Sequence, residues 1–304
     1  MKREYKTDPK VLVSILTYNN VEDTLEAVKC FRNQSYQNFY LQVVDNASPN
    51  PVGETIKNTF PDLEVVVLNQ NHGYTGGNNW AFDRGLREGF NYVLISNHDL
   101  ICGPDMLQHL VETAEKMPNC GMVGVIEENY QTKEIRTIGG KGFSFLKARG
   151  HWERTLPYNM PDNEVLEVDY VQGALILFSQ KALQKGIRLD EKLFMYGEEI
   201  DLGFQIRTAG LKAYVDLRCR VRHKSLPQQF NTFQGYLIQR NRLYLARKYG
   251  TTMNYIFSVF YMGLLELPMK FVIRTFQGYP HYGWTCWLGF FDGLRGKMGL
   301  QWKK

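Results

Sequence analysis

After a charged start, residues 11–16 form a β-branched apolar run, the mark of a buried strand, and end in Thr-Tyr-Asn-Asn. Residues 22–32 then place Leu25, Val28 and Phe31 at helical spacing. The same change of period recurs. Residues 41–44 predict a second strand, closed by Asp-Asn-Ala-Ser-Pro-Asn-Pro; residues 55–60 a short helix; 64–68 a strand; 77–89 a helix; and 92–96 a strand ending in Asn-His-Asp. This alternation predicts an α/β fold whose mainly parallel sheet is covered by helices on both faces. A helix over 106–116 and a strand over 121–126 extend it. Residues 127–165 are polar, with Gly139, Gly140, Gly142 and Gly150, and predict loops or a hairpin over the sheet edge. Strands over 170–179 and 213–215 flank a compact segment at 188–210. From residue 229 the pattern turns helical, dividing the chain into a body, 1–228, and a C-terminal region, 229–304.

Composition narrows the class. With 304 residues, 44% hydrophobic and 22% charged, the chain is neither a disordered polymer nor a disulfide miniprotein. Five scattered cysteines without a CxxC pair argue against a disulfide framework or a zinc cluster and for a reducing cytoplasm. The N-terminus reads as a first strand, not a signal peptide. The net charge of +5 is unevenly spread: residues 226–304 carry ten Lys and Arg against two acids, and 18 of the 41 aromatics. The body is slightly acidic and the tail basic and aromatic. The longest uncharged stretch of the tail, 255–265, is about half of the roughly 20 residues that cross a bilayer, so no spanning helix is expected.

In sheets of this kind ligands bind at the carboxyl ends of the strands, which directs attention to the polar clusters there. Asp45 could accept from a nucleoside or close an Asx turn. The segment 71–79, Asn-His-Gly-Tyr-Thr-Gly-Gly-Asn-Asn, precedes a helix whose N-terminus favours phosphate, although it matches no standard phosphate loop. Asp99 is placed to be a carboxylate ligand of a divalent cation or to cap the following segment. Glu198, Glu199 and Asp201 complement a helix dipole, or supply a general base beside the apolar wall of Phe194, Met195 and Tyr196. His223 is structural, or completes with Asp99 a mixed oxygen and nitrogen site for Mn²⁺ or Mg²⁺.

Taken in order, these segments resemble the family 2 glycosyltransferases of the GT-A fold, most of all their bacterial rhamnosyltransferase-like branch. The likeness is carried by residues 13–19, 43–48, Asn69, Gly73, 76–79, 97–99, Gly173 with Ala174, Asp190 with Glu191, 194–207, His223 and Arg240 with Asn241. It implies an inverting transfer of a sugar from a nucleoside diphosphate donor to an acceptor hydroxyl. By position, the resemblance implies that Thr17, Asn19 and Asp45 hold the nucleoside and that Gly77, Asn78 and Asn97 line the donor site. It gives Asp99 and His223 the metal, Mn²⁺ or Mg²⁺, and Arg240 the departing diphosphate. Glu199 would be the base, with Glu198 beside it, and Gly173, Tyr196 and Asp201 would meet the acceptor. The chain departs from the family in having Glu-Glu at 198 and 199 where Glu-Asp is usual, which leaves open which of the two is the base. It also has Asn97 where the metal motif often begins with Asp. The branch implies dTDP-L-rhamnose as donor, while relatives with the same motifs use UDP-galactofuranose or UDP-N-acetylhexosamines.

In the tail, Glu266, Lys270 and Arg274 recur at every fourth residue on one helical face, and Pro268 predicts a kink. With Trp284, Trp287, Phe290, Phe291, Arg295 and Lys297, the tail predicts a peripheral anchor at the inner face of the plasma membrane, near a lipid-linked glycan acceptor of surface polysaccharide synthesis. Packing on the body or a homodimer contact is the alternative. A sugar-nucleotide-binding protein without catalysis is the competing functional class. Nucleic acid is not an expected partner, because the basic residues are interleaved with apolar runs.

Overall fold

The strand at the centre of the molecule, β1 (Val11–Thr17), is buried along its whole length in a computed structural model that describes residues 8–156, 164–224 and 230–300. Its alternation decides the layers: Val11, Val13 and Ile15 enter one core, Leu12 and Leu16 the other, as the period of two requires. The first core receives α1 (Val21–Arg32), whose Asn20 cap accepts from the Asp23 N–H; it is followed by β2 (Phe39–Asp45), α2 (Val52–Thr59) and β3 (Glu64–Val67). The second core receives α3 (Gly73–Arg87); β4 (Tyr92–Asn97), β5 (Leu100–Cys102), α4 (Met106–Lys116) and β6 (Cys120–Asn129) follow, α4 packing Met106, Leu107, Leu110 and Val111 into the first core. The short strands β7 (Ile135–Thr137), β8 (Gly140–Ser144), β9 (Arg149–Trp152) and β10 (Val165–Val168) occupy the polar stretch, β8 and β9 as the expected hairpin. Then come β11 (Leu175–Ser179), α5 (Gln180–Gln184), α6 (Glu198–Thr208) and β12 (Lys212–His223).

The ten-stranded sheet runs β10-β12-β6-β11-β4-β1-β2-β3, with β5 beside β12 and β7 beside β6. The strands β3, β2, β1 and β4 are mutually parallel, as are β6 and β12; β11 is antiparallel to both neighbours and joins the two groups. Register aligns the carboxyl ends: Thr17 lies opposite Asp45, and Leu16 opposite Asn97. Two elements differ from the sequence pattern. β12 has twelve residues, not three, because Asp216 and Arg218 within it pair with each other and with Thr113 and Glu112 of α4, so charges interrupt a run that is nevertheless buried. Residues 171–174 are not strand, and β11 starts at Leu175.

The C-terminal region comprises α7 (Thr232–Tyr249), α8 (Thr252–Phe260), a π-helical segment Tyr261–Glu266, α9 (Leu267–Phe276) and α10 (Pro280–Leu294); the boundary drawn at 228 and 229 lies outside the described residues. Leu243, Ala246, Met262, Leu267, Cys286 and Phe290 close a small core together with Ala148 of the turn between β8 and β9. Residues 252–276 run without a break, and Pro268 lies inside that run directly after the π-helical turn Tyr261–Glu266, where the helical ladder is already altered. This corrects the expectation of a stretch too short for a bilayer, because 25 helical residues are long and apolar enough by length and composition. The charge that shortened the count, Glu266, is taken up by Arg242 at 2.6 Å and Lys270 at 3.2 Å on the body side. The opposite side exposes Phe257, Phe260, Leu264, Leu265, Met269 and Phe276.

Candidate active site

At the carboxyl ends of β1 and β2 the chain makes a connected polar group. Asp45 accepts from the Ser48 N–H at 3.0 Å and hydroxyl at 2.5 Å through one oxygen, and from the Gly53 N–H at 2.9 Å through the other. Ser48 in turn accepts from the Asn19 N–H at 2.7 Å, and Asn19 has a left-handed backbone, φ 57°. Asn19 and Asp45 are thus brought together, around an Asx turn. Thr17 is not presented to this group: its hydroxyl is buried against Thr24 at 2.7 Å, a correction to its place among the nucleoside contacts.

The glycine-rich segment differs from expectation in a similar way. The helix begins at Gly73, with φ 70° and its missing Cβ position 2.3 Å from the Phe194 carbonyl oxygen, so only glycine fits there. The Thr75 N–H donates to that same carbonyl and the Gly73 N–H to Asn71, so these two groups of the helix start are spent within the chain. Asn46, next to Asp45, pins the segment by accepting from the His72 N–H and donating to the Gly73 carbonyl. Gly77 packs against Leu16, and Asn78 is buried with its Oδ1 unpartnered among the described residues; both are enclosed and do not line open space. Asn97, half-buried, stands at the end of β4.

The third group lies where β4, β6 and β12 end. His223 bridges two carboxylates: Nε2 is 3.1 Å from Asp99 and Nδ1 is 2.9 Å from Glu127. Arg136 of β7 reaches the same Glu127 oxygen at 2.7 Å. Burial alone would lower the imidazole pKa, but the hydrogen bonds and charges of Asp99 and Glu127 outweigh it and raise His223 to about 9. A carboxylate oxygen and an imidazole nitrogen 3.1 Å apart are spaced about as neighbouring ligands on one octahedral ion with ~2.1 Å bonds. The mixed donors suit Mn²⁺ or Mg²⁺, with imidazole favouring Mn²⁺. Among the described residues no three acidic, His or Cys side chains form a ready metal cluster, so phosphate oxygens and water would complete the shell.

The acidic helix start is shaped by what precedes it. Phe194, Tyr196 and Gly197 all have positive φ, 64°, 71° and 94°, and the first two are costly for side-chain-bearing residues. Helix α7 holds this turn. The Asn241 amide donates to the carbonyls of Leu193, Met195 and Tyr196 at 3.0, 2.8 and 2.7 Å, and Arg240 donates to Leu193, Lys192 and Gly299. Arg240 is wholly buried and spent on carbonyls, which corrects its assignment to a leaving diphosphate. Asp201 is likewise corrected: fully buried, it is bonded to Gln205, Lys248 at 2.6 Å and Tyr249 at 2.7 Å, and does not face an acceptor.

Glu198 and Glu199 are left as the acids of the site, and their surroundings differ. Burial, then the neighbouring Glu199 and Asp201 charges, pushes Glu198 well above the usual carboxylate range, and its Oε2 has no partner among the described residues. Burial also raises Glu199, though less far, against the opposing pull of the N–H groups of Glu199 itself, Gly173 and Gly197. Gly173 gives it room: a Cβ there would stand 3.1 Å from the Glu199 carboxylate, a tight contact. Glu199 and Tyr196 open on a cavity of about 1090 Å³ that also reaches Glu127, Trp152, Gln239 and Lys270. Its walls therefore come from the sheet edge, the β8–β9 hairpin region and the C-terminal helices together. Glu127, Asn46 and Asn241 were not singled out for these roles from sequence. The same rule that flagged Asp99, a carboxylate closing an apolar run, applies to Glu127 after residues 121–126.

Solved glycosyltransferases share this architecture. The structure of GalNAc-T7 with UDP, GalNAc and Mn²⁺ matches 90% of this chain and 59% of its own at a TM-score of 0.60 and 14% identity. Staphylococcus aureus TarS matches 77% of this chain and 39% of its own at 0.54 and 16%. The fold is the GT-A fold of nucleotide-sugar-dependent glycosyltransferases. The model of glycosyl transferase family 2 matches residues 12–187, more than half of the chain, and the chain belongs to that family. Similar characterised proteins are the N-acetylglucosaminyl-diphospho-decaprenol L-rhamnosyltransferase of Mycobacterium tuberculosis, 25% identical over 210 residues, and the low-salt glycan biosynthesis hexosyltransferase Agl10 of Haloferax volcanii, 27% over 171. The alignments cover 60% and 54% of this chain and span 66% and 52% of those relatives' length.

Proposed function

We propose that the protein transfers a hexose, L-rhamnose from dTDP-L-rhamnose in the first instance, with inversion, onto a hydroxyl of a lipid-linked glycan. The observation that carries this reading is Glu199: a buried-edge carboxylate, oriented by backbone N–H groups, facing a cavity large enough for a glycan end. Glu199 takes the acceptor proton as the hydroxyl attacks the anomeric carbon, while the neutral Glu198 carboxyl donates a hydrogen bond to a sugar hydroxyl. One base suffices for a single displacement, and no second carboxylate nucleophile is needed. Asp45 and Asn19 hold the nucleoside, and Asn97 contacts the donor beside them. A divalent cation held by Asp99 and His223 would stabilise the charge gathered on the leaving diphosphate. Support for rhamnose is the rhamnosyltransferase relative; UDP-galactofuranose and UDP-N-acetylhexosamines are the competing donors. The exposed apolar side of residues 252–276 supports a peripheral position on the inner membrane face, with the body 1–228 and the region 229–304 acting as one unit.

A thermal-shift series with dTDP-L-rhamnose, UDP-sugars and Mn²⁺ or Mg²⁺ identifies the donor, since a ligand bound only by the folded state raises the melting point. The Glu199→Gln variant should lose about 10²–10⁴-fold in transfer while keeping the donor-induced shift. Normal turnover in that variant would remove the proposed base.

A further inference from the structure

We infer that Glu127 is a positioning residue for the cation site, fixing the tautomer and ring orientation of His223 so that Nε2 is presented beside Asp99. The inference rests on the reading that Asp99 and His223 hold a divalent cation. Glu127 is 1% exposed at the end of β6, next to β12 in the sheet, where it lies opposite Val221 in a stretch paired from Arg220 to His223, so both partners ride on adjacent strands. Its Oε1 lies 2.9 Å from His223 Nδ1, and Arg136 of the neighbouring β7 fixes that same oxygen from the other side. A carboxylate can only accept, so this contact keeps a proton on Nδ1, and the proton that Asp99 draws to Nε2 is the one a cation must displace.

The geometry also says what would happen without Glu127. His223 would keep one carboxylate partner, Asp99, 3.1 Å from Nε2. A neutral imidazole would then turn its single N–H toward Asp99 and put a proton where the cation belongs. Glu127 therefore acts by denying His223 that tautomer. The arginine pair directs Oε1 to this task, while Oε2 has no partner among the described residues.

The test uses the full-length protein and Mn²⁺ alone, titrated by the electron paramagnetic resonance signal of the free ion, with imidazole coupling to the bound ion read by electron spin echo modulation. Glu127→Ala should weaken Mn²⁺ by roughly 10–100-fold and diminish the imidazole coupling. Glu127→Gln, which still offers an acceptor to Nδ1–H, should stay within a few-fold of the original. Unchanged affinity and coupling in folded Glu127→Ala overturns the inference. So does Glu127→Gln binding as weakly as the alanine variant with imidazole coupling intact, since Glu127 would then be a ligand itself. An unaltered protein that binds no Mn²⁺ overturns the cation reading first and this one with it. Should the alanine variant not fold, ¹⁵N-histidine spectra of the Mg²⁺-loaded native protein decide: the Nδ1–H tautomer at His223 is expected, and Nε2–H overturns.

Discussion

Two adjacent glutamates with one side chain in common show how far position outweighs residue type. Glu199 turns to the cavity and to backbone N–H donors; Glu198 turns inward, where the N–H groups of Glu198 and Tyr196 offset only part of the cost of burying a charge. Because the folded state holds the Glu198 proton to higher pH than the unfolded chain does, its stabilising share is complete below the ordinary glutamate value and falls as pH rises towards the folded pKa. Replacing it by Gln removes that slope. Denaturant unfolding at pH 4.5 and 7.5 should show Glu198→Gln gaining on the native protein as pH rises, at up to about 1.4 kcal/mol per pH unit; a constant difference between the two would show that Glu198 ionises normally. The sequence made both glutamates visible as candidates but could not separate them, and it offered Asp201 on equal terms. A carboxylate in a first helical turn looks the same whether it meets a ligand or, as Asp201 does, a lysine 47 residues away. Arg240 was misread for the same reason: the carbonyls it serves lie 47, 48 and 59 residues distant.

At the level of elements, the repeating strand and helix periods were legible because each apolar run fills one of two cores on either side of a single sheet. Less legible were elements whose burial depends on paired charges, as in β12, and the turn at 194–197, whose conformation no local propensity favours. That turn is held by α7. Asn241→Ala strips hydrogen bonds from three carbonyls, and leaving such groups unmet in the interior costs about 1–3 kcal/mol each. The variant should melt several degrees lower and lose transfer activity by more than tenfold, because a base displaced by about 1 Å loses up to ~10²-fold. Full activity with a lowered melting point would show that the turn supports stability alone.

Across the whole molecule, the charge asymmetry of the sequence acquires a shape. The ion pair of Arg242, Glu266 and Lys270 faces the cavity, while the apolar residues of the same continuous helix face outward. A double change, Phe257→Glu with Leu264→Glu, should abolish co-sedimentation with anionic vesicles while transfer to a water-soluble acceptor analogue persists. Retained co-sedimentation would assign that surface to a protein partner instead. The tail's helices were expected from periodicity, but their place in the cavity wall was not, since nothing in residues 230–300 names the hairpin or sheet edge they meet.

The clamp that α7 places on the turn before Glu198 has a consequence for the order of events in synthesis. A nascent chain that has emerged as far as residue 223 already carries Asp45, Asp99, His223 and both glutamates, yet not Asn241. The sheet can close while the backbone at 194–197 still lacks the amide that compensates its strain. The turn that carries the proposed base is therefore clamped only once α7, in the last quarter of the polypeptide, has been made.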